Sequence, residues 1–159
     1  MTEADVERDL AELVRRTVEA LAGVPDEALG EVGKTLLGRQ PKLVPSGRAW
    51  RLGVLLIDRK GRLYSTGTVT RAIEPLRAVT NRSAEAEVRR EERRAAVRGH
   101  FIEGEVVNFG HTLIDLDSAP GPLSVIDGVV FVRWSSTGIP RPLADYLADR
   151  LAVLDDPAG

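Results

Sequence analysis

The sequence predicts an α+β fold with a largely antiparallel sheet, and three observations carry that expectation. Two blocks of β-prone residues, 50–72 and 105–134, each contain a turn signal able to close a hairpin. A charged helical pattern separates the two blocks. Amphipathic helical patterns stand at both ends of the chain. At 159 residues, 43% hydrophobic and 29% charged, the chain suits one domain over 1–159, with a helical N-terminal segment at 1–39 and a sheet-containing body at 40–159.

The first helix is predicted from Thr2 to about Ala22. Val6, Leu10, Leu13, Val14, Val18 and Leu21 recur at helical spacing, Thr2 with Asp5 forms a capping box, and Gly23 followed by Pro25 supplies the stop. A second helix, weakened by Gly30 and Gly33, is expected from Pro25 to Leu37, with Leu29, Val32, Leu36 and Leu37 inward. Within it, Ala28 to Thr35 fits a relaxed phosphate-loop pattern. That chemistry needs a loop between a buried strand and a helix, and no strand is expected before it, so nucleotide binding is not expected and no cofactor is implied.

Pro41, Pro45, Ser46 and Gly47 mark a connector, with a short edge strand at 42–44. The first hairpin then turns through Arg59-Lys60-Gly61. With Asp58 facing Arg62, Ile57 opposes Leu63, Leu56 opposes Tyr64 and Leu55 opposes Ser65; extending the ladder sets Gly53 against Gly67, Val54 against Thr66 and Leu52 against Thr68. Thr66 and Thr68 then lie on a face open to solvent or to a ligand. Residues 74–82 read as irregular.

Ser83 is expected to cap an Arg-rich helix, within 82–98, that ends at Gly99. At about 100° per residue, Ala84, Val88 and Ala95 share one narrow face and Arg89, Arg90, Arg93, Arg94 and Arg98 cover the opposite half. Those guanidiniums suit an acidic ligand or partner. The competing reading is a solvated helix whose arginines pair with Glu85, Glu87 and Glu91 at spacings of three and four. No aromatic residue interleaves with the arginines, so nucleic acid is not the expected partner.

The second β block runs from Glu105 to about Leu116 and then through Leu123–Ile126 and Val129–Trp134. Asp127-Gly128 predicts a two-residue turn that pairs Ile126 with Val129 and Val125 with Val130. A last helix is expected at 143–154, with Leu143, Tyr146, Leu147, Leu151 and Leu154 as its stripe.

Charge is uneven along the chain. Residues 1–39, 40–100 and 101–159 carry net charges of −4, +8 and −6 within a total of −2. The basic middle either binds an acidic ligand or protein partner or is neutralised by the acidic ends. The chain has no cysteine, which excludes disulfides and thiolate chemistry. With no apolar run near the roughly 20 residues of a membrane span, a cytoplasmic protein without membrane attachment is expected.

Candidate catalytic groups are few. His111 and Asn108 interrupt an apolar run beside Gly110 and are the polar groups best placed to face a pocket, His111 as an acid or base and Asn108 as a substrate-positioning group. If His111 and Asp115 share a strand they stand roughly 13 Å apart and cannot pair locally. Two histidines with dispersed acids are not a metal signature, so no metal is implied.

The segments 47–56, 66–71 and 103–108 resemble small actinobacterial proteins labelled glutaminase, over most of the chain from Lys42 onward. The resemblance implies amide hydrolysis. None of Lys34, Lys42 and Lys60 has serine three residues earlier, so the Ser-x-x-Lys nucleophile of serine-dependent glutaminases is missing, and without cysteine no thiol takes its place. No catalytic residue carries over. Two functions therefore stand at the level of sequence: a non-catalytic binding or assembly module that self-associates through amphipathic helices or its sheet and meets an acidic partner, and a small amide hydrolase using His111 and Asn108.

Overall fold

The first helix, α1, covers Glu3–Leu21, and the capping box forms as its residues dictate: Thr2 Oγ1 accepts from the Asp5 amide at 3.2 Å while the Asp5 carboxylate accepts from the Thr2 amide at 3.1 Å. Val6, Val14 and Leu21 of the expected stripe are buried. These elements belong to a computed structural model that describes residues 2–34, 38–75, 83–117 and 121–155. The fold is α+β, with three helices and mixed sheets among the described residues.

The expected second helix is a strand, β1, at Glu27–Val32. The physical reason is the pair of glycines: each costs a helix interior about 1 kcal/mol relative to alanine, whereas a strand uses Gly30 for close approach. A Cβ there would come within 3.0 Å of Val107 and 3.1 Å of Phe101. Val32, expected inward, is exposed, and Leu36 and Leu37 lie outside the described residues. The expected connector is also strand: β2 runs from Leu43 to Leu52, and Ser46 is taken up by a bulge where the ladder steps from Leu29↔Gly47 to Gly30↔Pro45.

Next come β3 (Leu55–Ile57), β4 (Leu63–Ser65) and β5 (Thr68–Arg71), then α2 (Ala84–Arg98), capped by the Ser83 hydroxyl. The strands β6 (Val106–Phe109), β7 (Thr112–Leu113), β8 (Leu123–Ile126), β9 (Val129–Val132) and β10 (Arg141–Pro142) lead to α3 (Leu143–Asp155). The expected strand at 105–116 is thus two strands, broken at Gly110, whose φ is +71°.

The hairpin register Ile57↔Leu63, Leu56↔Tyr64 and Leu55↔Ser65 is as expected, but the ladder stops there. Gly53, at φ +66°, turns the chain so that Leu52 pairs with Leu55 and Trp50 with Ile57. The pairs Gly53–Gly67, Val54–Thr66 and Leu52–Thr68 therefore do not form. Gly67 has a different duty: a Cβ on it would stand 2.3 Å from the Phe109 carbonyl oxygen.

The chain gathers into two compact units, described separately. One holds α1, Trp50–Leu52, β3, β4, β7, the sheet β10-β9-β8 and α3. Its core joins Val14 and Leu21 to Trp50, Leu55, Ile57, Leu63, Val132, Leu143 and Leu147. The other unit holds β1, β2 up to Ala49, β5, α2 and β6. Its sheet is mixed, because β1 pairs antiparallel with β2 but parallel with β6. Its core is built from small side chains, Ala28, Ala72, Ala95 and Ala96 around Leu43 and Val107. Gly99 is required there, since a Cβ would lie 1.7 Å from the Leu43 carbonyl oxygen.

Candidate functional site

Of the two proposed catalytic side chains, Asn108 is 1% exposed and fixed inside the sheet. Its Nδ2 donates to Glu27 Oε1 at 2.9 Å and to the Ala28 carbonyl at 3.4 Å, while its Oδ1 is buried with no hydrogen-bond partner among the described residues. A side chain this enclosed ties β6 to β1. Thr68 lies opposite Phe109 and Val69 opposite Asn108, so Thr68 and Asn108 project from opposite faces of the sheet. Thr68 is exposed, and Thr66, half-buried, lies outside any strand. His111 is half-buried beyond the end of β6; burial pulls its pKa below the ordinary imidazole range, and the charge of Glu31 works against that. Among the described residues no group of histidines and carboxylates stands close enough to hold a metal ion.

The five arginines differ in their surroundings. Arg94 reaches Glu91 and, at 3.6 Å, Glu87, while Arg98 donates to the Pro41 carbonyl at 2.7 Å and stands 4.0 Å from Glu91. Arg90 is half-buried, with its Nε shielded from solvent. Arg89 and Arg93 are exposed and form no ion pair with a described residue. The helix also rests on the sheet differently from the expected face: Ala95 and Ala96 are buried, whereas Ala84 and Val88 are exposed.

That exposed face forms one wall of a groove of about 580 Å³, lined by Val32, Leu43, Val88, Ala95 and Phe109. In the other unit a groove of about 520 Å³ runs between α1 and the 59–62 turn, over Leu10, Val14 and Leu63. Its rim is basic, but Arg15 is paired with Glu12 and Glu19, Arg59 with Asp26 and Arg62 with Asp58. Those pairs neutralise the rim.

The Asp58 turn is a structural staple. Asp58 Oδ1 accepts from the Lys60 and Arg62 amides at 3.0 and 2.9 Å, and Oδ2 accepts from Arg62 Nε at 2.7 Å and the Tyr64 hydroxyl at 3.0 Å. Burial pushes the Asp58 carboxyl up, but the Arg62 and Tyr64 hydrogen bonds outweigh it and hold the group below its ordinary value.

Comparison with protein-family models, curated proteins and solved structures finds no match.

The feature that sequence reasoning missed is the edge of the β8–β9 hairpin. The Asp127-Gly128 turn, at φ +50° and +76°, closes Ile126↔Val129, Val125↔Val130, Ser124↔Phe131 and Leu123↔Val132. In the sheet order β10-β9-β8, β8 is terminal, and Val125 and Ile126 are 43% and 47% exposed. Leu123 and Val132 face the core, so Ile126, Val129 and Phe131 lie on the outer face with Ser124, and the hairpin carries apolar side chains on both sides. The signal was in the sequence: Val129–Val132 does not alternate, as a half-solvated strand should. No helix among the described residues is long and apolar enough to cross a membrane.

Proposed function

We propose that this protein is a non-catalytic assembly module that self-associates through its three-stranded sheet. The observation that supports the reading is the β8 edge, which exposes Val125 and Ile126 and contains no charge or proline between Leu123 and Ile126. Proteins that work as monomers block such an edge with lysine, proline, a bulge or a covering element. The test is sedimentation velocity from low micromolar to millimolar protein: the weight-average sedimentation coefficient rises with concentration, and a constant monomer value throughout rejects the reading.

A second reading concerns an acidic ligand or partner, and it narrows from five arginines to two. Arg89 and Arg93 are one helical turn apart and carry exposed guanidiniums. The amide-hydrolase alternative draws no comparable support, because Asn108 is enclosed and already committed to Glu27.

A further inference from the structure

The hairpin geometry says which backbone groups of β8 do not pair with β9. In a two-residue hairpin the residues flanking the turn exchange both hydrogen bonds, and the pattern alternates from there. Ile126 and Ser124 therefore direct their amides and carbonyls at β9. The bond from the Arg133 amide to the Pro122 carbonyl at 2.8 Å continues the same alternation one step past the strand. Leu123 and Val125 consequently point their N–H and C=O groups outward, along an edge that pairs with no described strand.

We infer that a second copy of this chain occupies that edge, its β8 running antiparallel to the first about a two-fold axis through Ser124. Resting on the assembly reading above, this register follows from symmetry. A two-fold axis between antiparallel strands passes between identical residues, and only with Ser124 facing Ser124 do both outward residues of β8 meet outward residues of the second copy's β8. Leu123 then lies opposite Val125 of the second copy, and Val125 opposite its Leu123, in hydrogen-bonded pairs. All the outward groups of β8 are satisfied by four backbone hydrogen bonds.

The side chains agree with this register. Val125 meets Leu123 on the core face, Ile126 meets Pro122 on the outer face, and the crossing point carries only small serines. An edge of four residues covers little area, so the association is weak, in the class of interfaces below about 1,200 Å².

The test uses the full chain and sedimentation equilibrium. Val125→Pro removes an outward amide without touching the β8–β9 ladder, and edge strands tolerate proline there; Val125→Lys is the second variant, should proline disturb the hairpin. Both are expected to be monomers with wild-type circular dichroism where the wild type is a dimer. A wild-type monomer at every concentration overturns both the assembly reading and this register. A wild-type dimer that survives both Val125 variants, or that is lost instead on Val88→Lys, overturns the register and leaves assembly standing.

Discussion

The Tyr146 hydroxyl donates to the Leu52 carbonyl at 3.0 Å, closing a contact across 94 residues of sequence. The same oxygen accepts from the Val54 amide at 3.0 Å, so one phenol brackets the Gly53 turn and ties α3 to the start of β3. Arg150 lies over the Tyr146 ring at 5.3 Å. A Cβ on Gly53 would stand 1.9 Å from the Tyr146 oxygen and 2.9 Å from Arg150. Tyr146→Phe leaves two polar groups of the turn without their partner and is expected to cost about 2 kcal/mol in urea denaturation. Gly53→Ala adds a steric clash to a positive-φ penalty and is expected to cost roughly 3 kcal/mol or more. Part of that cost disappears in the Tyr146→Phe background, where the clashing oxygen is absent, and strictly additive losses would contradict the bracketing role.

Acid sensitivity follows from Asp58. Its folded-state pKa is depressed, so the stability it contributes is fully present above the unfolded value of about 3.9 and is lost as pH falls through the lower folded value. Tyr64 has the opposite sign: burial and the Asp58 hydrogen bond raise its pKa, so its contribution holds below about pH 10 and is lost as pH rises further. Denaturant midpoints measured against pH are expected to fall below about pH 4, with a shallower slope in Asp58→Asn. An unchanged slope in that variant would place the acid sensitivity elsewhere.

His111 titrates in a milder range. Burial depresses its pKa, so the folded state favours the neutral ring, and stability is full above the unfolded value of about 6.5 and declines as pH falls through the folded value. His111→Ala is expected to flatten the stability profile between neutral pH and about pH 5. The amide-hydrolase alternative makes a separate demand: activity on a glutamine substrate that this variant abolishes while the fold is retained.

For the acidic-partner reading, the paired substitution Arg89→Ala, Arg93→Ala is expected to weaken binding of a polyglutamate probe and to reduce its salt dependence. Arg94→Ala serves as the contrast, because Arg94 is already engaged by Glu87 and Glu91. Equal effects from the two variants would mean that the probe reads net charge alone.

What was legible in the sequence was local. The Thr2–Asp5 box, the Ser83 cap, the Asp58 and Asp127-Gly128 turns, and the register they impose depend on residues within a few positions of one another. What was hidden depends on distant partners. Residues 27–32 have a helix-like pattern weakened by glycine, and only β2 and β6, far along the chain, make them a strand. Leu52-Gly53-Val54-Leu55 is an unbroken β-prone run, and Tyr146, recruited from α3, helps hold it as a turn. Asn108 looked available for chemistry because Glu27, which holds it, lies 81 residues earlier. The β8 edge is the extreme case, since it is marked by a strand that is missing from its side among the described residues.

The central question is whether β8 pairs with a second copy. Sedimentation equilibrium of the wild type and of Val125→Pro, over one concentration series, measures this most directly. The wild type is predicted to pass from its 17.3 kDa monomer to a dimer as concentration rises, while Val125→Pro stays at the monomer mass with an unchanged circular dichroism spectrum. Identical mass profiles for the two proteins would contradict it.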